Sequence, residues 1–261
     1  MVPESASSAF VQLRKRLFRI AYRMLGSVAE AEDVVQDAYI RWHQADYAGV
    51  RDPTGFLVRI VTRLCLDVLK SARTTREEYY GPWLPEPLID EDDAETSDEI
   101  TMTLMIALER LSPLERAAFL LHDVFGVEFD EVAQVIDRTP ATCRKLASRA
   151  RTHLRSDRLR FQVPRERGIE IAQAFFAASR QGELPQLEAV LAEDVVVYTD
   201  GGGKVRASAR AILGRGNAAR FFAGISRKPH FSSQLLLADC TLDGLPGFIT
   251  REAGGLLQTT A

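Results

Sequence analysis

The sequence predicts a multidomain protein: two all-α units followed by an α+β domain. Three observations predict it. Apolar residues recur every three to four positions over residues 9–70 and again over about 98–160. A stretch rich in proline and acidic side chains separates those two runs. Beyond Arg167, two helical patterns lead into the β-branched run Val195, Val196, Val197, Tyr198, which is the order of an α+β domain. A length of 261 residues accommodates two or three such units. The expected boundaries are 1–76, a connector over 77–100, then 101–162 and 163–261.

The elements follow in order. Phe10, Leu13, Leu17, Ile20, Ala21 and Met24 form one helical stripe, which Gly26 stops. A second helix starts near Ser27 or Val28 and carries Val34, Val35, Ala38, Tyr39 and Trp42. Pro53 and Thr54 open a third, continued by Phe56, Leu57, Ile60, Val61, Leu64, Val68 and Leu69. In the connector, Gly81, Pro82, Pro85 and Pro87 block helix continuation, and Asp90 to Asp93 repel one another. Glu128 to Ile136 reads as a short helix with Phe129, Val132, Ala133 and Ile136 inward. Asp137 and Arg138 make a turn, Thr139 is an N-cap before Pro140, and a helix from Ala141 to about Arg155 follows. The last domain begins with helices near Ile169–Arg180 and Pro185–Ala192.

Charge is distributed unevenly. The net charge is −3, from 33 basic and 36 acidic side chains. Residues 77–100 hold 10 acidic and no basic side chains, whereas residues 138–167 hold 10 basic and 2 acidic. A thirty-residue window at +8 is an electrostatic footprint for phosphate. Cys65, Cys143 and Cys240 are odd in number and far apart, and no Cys/His cluster has metal spacing, so neither a disulfide framework nor a zinc site is expected. No metal or cofactor is called for. No apolar stretch approaches the roughly 20 residues of a membrane span, and a cytoplasmic location is expected.

The helix after Pro140 carries the chemistry. Cys143, Leu146, Ala147, Ala150 and Leu154 face inward, leaving Thr142, Arg144, Lys145, Ser148, Arg149, Arg151 and Arg155 outside. A short helix, a tight turn and a basic helix form a helix-turn-helix, whose second helix enters the major groove. Arginine and lysine suit guanine edges and phosphates, while Thr and Ser approach bases closely. Arg138, Thr139, Thr142, Arg144, Lys145, Ser148, Arg149 and Arg151 are the candidate contacts.

Ala31-Glu32-Asp33-Val34-Val35-Gln36-Asp37-Ala38-Tyr39 resembles the region 2 signature of bacterial sigma factors of the extracytoplasmic-function type. Glu32, Asp33, Gln36 and Asp37 share the face opposite Val34, Ala38 and Trp42. The resemblance implies that this face docks on the clamp helices of the RNA polymerase β′ subunit. Phe56 to Arg73 resembles the segment that melts the minus-10 element, which implies DNA contacts for Arg59, Arg63, Lys70 and Arg73. Ser112-Pro113-Leu114-Glu115-Arg116 with Phe129-Asp130-Glu131-Val132-Ala133 resembles region 4, the reader of the minus-35 element and a partner of the β flap. Residues 82–87, Pro-Trp-Leu-Pro-Glu-Pro, and Asp200-Gly201-Gly202-Gly203-Lys204 resemble motifs of the SigJ-type subgroup, which carries a SnoaL-like domain of the NTF2-like cone fold after region 4. The resemblance implies a non-enzymatic initiation factor whose last domain contacts and regulates the sigma domains or connector, through Trp83, Leu84, Pro85 and Asp200 to Lys204.

The residues of the last domain leave other readings open. SnoaL relatives include cyclases, and Asp200, Tyr198, Asp239 and His230 are the groups that acid/base work would use, although no spacing joins them. Gly201 to Gly203 reads as a tight turn with Asp200 bonded to its backbone. Phe175, Phe176, Phe221, Phe222 and Phe231 read as core, with a small-ligand pocket as the alternative. A one-component regulator, joining the helix-turn-helix to such a ligand domain, is the competing function. Members of the subgroup usually continue past a Leu-Gln-Thr-Thr-Ala-like stretch to Asn-Pro-Asp-Lys-Leu, so a sheet short of strands is expected here.

Overall fold

The computed structural model describes residues 4–45, 49–78, 83–89, 101–155, 164–202, 204–205, 207–228, 235–251, 255 and 257–261. The chain divides into two compact units, one of residues 1–78 and 103–158, the other of residues 79–102 and 159–261.

The first unit begins with α1 (Glu4–Leu25), α2 (Val28–His43) and α3 (Pro53–Glu78). Gly26, at φ 72°, ends α1 in the left-handed region that glycine enters without strain. Ser27 caps α2 by accepting the Glu30 N–H at 3.4 Å. Leu17, Ile20, Met24 and Leu25 of α1 are fully buried with Ala31, Val34, Val35, Ala38 and Trp42 of α2 and Leu57, Val61 and Cys65 of α3. Each large side chain so buried stabilises the fold by about 1.5–3 kcal/mol.

The unit continues with α4 (Met102–Leu108), α5 (Pro113–Phe119), a π-helical turn (Leu120–Val124), α6 (Phe129–Ile136) and α7 (Pro140–Arg155). Ser112 and Glu115 form a reciprocal capping box with Pro113 in the first turn. Asp137, at φ 54°, closes α6, and Thr139 accepts the Thr142 N–H at 3.2 Å to start α7. Cys143, Ala147, Ala150 and Leu154 are buried, as the periodicity predicts.

The second unit holds α8 (Arg165–Gln181), α9 (Leu184–Val190), β1 (Val196–Val197), β2 (Ile212–Leu213), α10 (Arg215–Ser226), β3 (Leu235–Leu242), β4 (Leu245–Arg251) and β5 (Leu257–Thr260). β1 and β2 pair antiparallel, and β3, β4 and β5 form a separate antiparallel sheet in that order. The β-branched run at 195–198 pairs only over two residues, so the strand is shorter than its composition suggests. Ala178, Leu187, Ala219 and Ala223 make the helical core. Phe175, Phe176, Phe222 and Phe248 surround a cavity of about 20 Å³, together with Ser179, Thr250, Gln258 and Thr260. That is room for about one water molecule. Phe221 packs on Phe222, while Phe231 and His230 lie outside the described residues.

Candidate nucleic-acid and polymerase interfaces

On α2, Glu32, Asp33, Gln36 and Asp37 are all exposed, opposite the buried Ala31, Val34, Val35, Ala38 and Trp42. The 3.6-residue period alone brings them onto one acidic face.

On α7, Arg144, Lys145, Ser148 and Arg149 are exposed along one side, and the helix contains no acidic residue. Arg144 lies over the Phe129 ring, 5.5 Å from its centroid, and His122 also stacks on that ring, with 3.7 Å between centroids. Arg138 bonds the Asp137 carbonyl at 2.6 Å. Thr139 is spent on capping, and its hydroxyl also bonds that of Thr142 at 2.9 Å. Arg151 makes a two-pronged pair with Asp123, at 2.8 and 3.3 Å. A phosphate would have to compete with that carboxylate, so Arg151 differs from Arg144 and Arg149 in availability.

Two of the α3 cations bond α6. Arg59 donates to the Gln134 side chain at 3.0 Å. Arg63 donates to the Val135 carbonyl at 3.2 Å and the Gln134 carbonyl at 3.3 Å. These carbonyls lie in the last turn of α6, where helical acceptors lack intrahelical partners and the helix dipole is negative. Lys70 is exposed and pairs with Asp67 at 3.2 Å. Arg73 lies on α3, but its side chain is outside the described residues.

Two further arginines, not singled out from sequence, join the same halves of this unit. Arg116 is 2% exposed. It donates to the Met24 carbonyl at 2.8 Å, the Leu108 carbonyl at 2.9 Å and Glu109 at 2.9 Å. Arg16 donates to the Phe125 carbonyl at 3.2 Å. No local signal marks the Arg116–Met24 and Arg16–Phe125 contacts, which join residues 92 and 109 positions apart. Burial pushes the Cys65 and Cys143 thiols above their usual range, and this makes them poor nucleophiles.

In the second unit, Asp200 accepts the Gly202 N–H at 2.8 Å through one carboxylate oxygen and the Leu84 N–H at 2.9 Å through the other. A Cβ on Gly201 would run into the Val205 carbonyl, so glycine is required there. Pro85 is buried, Leu84 half-buried and Trp83 37% exposed. The Lys204 N–H closes the turn onto Gly201 at 2.9 Å, and Gly203 lies outside the described residues. Asp239 is exposed and meets Gln173 at 3.3 Å; neither it, Tyr198 nor Asp200 lines the aromatic cavity. Among the described residues no cluster of three metal-ligating side chains occurs, and no helix is long and apolar enough to cross a membrane.

An acidic region 2 face and a basic helix-turn-helix on one chain define a promoter-recognition factor rather than a catalyst. Residues 9–75 match the Sigma-70 region 2 family and residues 102–154 match Sigma-70, region 4. The chain is 38% identical to the ECF RNA polymerase sigma factor SigJ of Mycobacterium tuberculosis, over 92% of this chain and 82% of that protein. It is 35% identical to the probable ECF sigma factor SigI of the same species, over 72% of this chain and 67% of that protein. The crystal structure of M. tuberculosis SigJ superposes with a TM-score of 0.74 at 34% identity, covering 94% of this chain and 84% of that one. The chain belongs to the extracytoplasmic-function RNA polymerase sigma factors, in the SigJ type. It is a transcription initiation factor whose partners are core RNA polymerase and promoter DNA, and it is not an enzyme.

Proposed function

We propose that Glu32, Asp33, Gln36 and Asp37 dock on the β′ clamp helices, with region 4 engaging the β flap. In this reading the exposed face of α7 reads the minus-35 element, through Arg144, Lys145, Ser148 and Arg149. Arg138, Thr139 and Thr142 set its entry, and Arg151 joins only after leaving Asp123. Arg59, Arg63, Lys70 and Arg73 serve the minus-10 element, the first two after leaving α6. The C-terminal SnoaL-like unit regulates initiation through the Asp200 turn, gripping Trp83-Leu84-Pro85.

The observation that carries the promoter assignment is the outward face of α7, which concentrates cations without one acidic residue. The carboxylate of Asp200, bonded at once to its own turn and to Leu84, carries the regulatory assignment. Transcription with core polymerase tests both. Arg144→Ala should change selectivity at one minus-35 position, and Asp200→Ala should change transcript yield while polymerase binding is kept. Equal loss at every promoter position would demote Arg144 to a phosphate contact. Unchanged yield with Asp200→Ala would remove the regulatory role.

A further inference from the structure

The β3–β4 hairpin turns through two residues, Asp243 and Gly244, both at positive φ (43° and 73°), because Leu242 pairs directly with Leu245. Asp-Gly suits such a turn. The polar groups of its central residues are not consumed by the sheet ladder. At Asp243 they are used on the chain's own connector. The Asp243 carboxylate accepts the Leu88 N–H at 3.0 Å, and the Asp243 N–H donates to the Leu88 carbonyl at 2.9 Å. The Asp243 carbonyl accepts the Met102 N–H at 3.0 Å. Ile89 bridges Leu242 of β3, and Asp243 is 8% exposed. One residue therefore holds two points that are fourteen positions apart in sequence.

We infer that the Asp243–Gly244 turn is a docking site for the connector backbone, and that it sets how far regions 2 and 4 can separate. The inference rests on the proposed regulatory role of the C-terminal unit and names a second site for it, besides Asp200. Reach decides the matter. From Glu78, the end of α3, to Met102, the start of α4, a released chain extends about 79–86 Å. With Leu88 and Met102 held on one residue, only the ten positions from Glu78 to Leu88 extend, about 33–36 Å, plus about 10 Å across the clamp. Minus-10 and minus-35 elements are some 25 base pairs apart, about 85 Å of duplex at 3.4 Å per step. Allowing about 12 Å within each helical region, half the length of a 16-residue helix, leaves roughly 60 Å to span. The clamped connector falls short of that distance and the released one exceeds it.

Full-length Asp243→Gly tests the site, since glycine keeps the positive-φ turn and removes only the carboxylate. Leu88→Pro tests it from the other side, deleting the donor without touching the hairpin. Hydrogen exchange should speed about tenfold at the Leu88 amide in the glycine variant, the effect of losing one bond to an ionised acceptor, and at the Asp243 amide in Leu88→Pro, because its bond to the Leu88 carbonyl is no longer held by the reciprocal one. Exchange in β4 should stay unchanged, and transcript yield with core polymerase should rise. Should Asp243→Gly also loosen β4, Leu88→Pro is the deciding variant. Unchanged exchange at Leu88 in the glycine variant and at Asp243 in Leu88→Pro would overturn the docking site, and faster exchange with unchanged yield would overturn its control of reach. If Asp200→Ala alters yield and the clamp variants do not, the regulatory role stands and the clamp falls. If none alters yield, both fall.

Discussion

Replacing Arg116 with methionine tests the packing of the first unit most directly. Methionine approximates the length and bulk of arginine but provides no donor. In the folded protein the substitution strands the Met24 and Leu108 carbonyls and leaves Glu109 facing an apolar neighbour. The pair is enclosed, with side-chain exposures of 3% for Arg116 and 15% for Glu109, so solvent screens it little. Breaking a buried pair by removing one partner costs about 3–5 kcal/mol, a range that already includes the stranded acceptors. Against the ~5–15 kcal/mol stability usual for a domain, that is a large fraction. Urea unfolding followed by tryptophan fluorescence reads it, because Trp42 is 2% exposed in the folded core. The midpoint should fall with little change of slope, and Glu109→Gln should recover part of the loss in the Arg116→Met background. A loss below about 1 kcal/mol would refute the reasoning, since it would place Arg116 with the screened surface pairs.

Arg149→Ala should weaken binding to all minus-35 sequences alike and lower the salt slope of promoter affinity by about 1, as measured by filter binding across salt concentrations. The raised thiol of Cys65 sets an alkaline limit. Its folded-state pKa lies above the unfolded value of about 8.5, so its contribution is full below that pH and declines as pH rises, by about 1.4 kcal/mol per unit. Urea midpoints between pH 8 and 10 should therefore fall less in Cys65→Ala than in the parent protein, whatever the variant's stability at pH 7.

Much of the helical architecture was legible because its signals are local. Gly26, Ser27 and Thr139 each act on backbone groups within four residues, so a linear reading finds them. The same period sorts Glu32, Asp33, Gln36 and Asp37 from Val34, Ala38 and Trp42, and Cys143, Ala147 and Ala150 from Arg144, Lys145 and Arg149. The charge distribution was equally plain, since summing side chains requires no fold. The β-branched run at 195–198 misled on length, because a strand extends only as far as its partner does. Here Ile212–Leu213 supplies two residues of pairing.

What the sequence by itself determined is the helical order, the helix-turn-helix with its basic face, and the motifs that tie the chain to the sigma factors. Tertiary structure alone decided which partner each polar group meets. Arg63 and Val135 are 72 positions apart, Leu84 and Asp200 116, and Leu88 and Asp243 155. The physical reason is that caps and amphipathic faces are properties of consecutive residues, whereas a carboxylate or guanidinium bonds whatever unpaired backbone group packing brings within about 3 Å. That is why α3 arginines bond the end of α6, and why Asp243, an ordinary hairpin residue in the linear sequence, holds the connector at Leu88 and again at Met102.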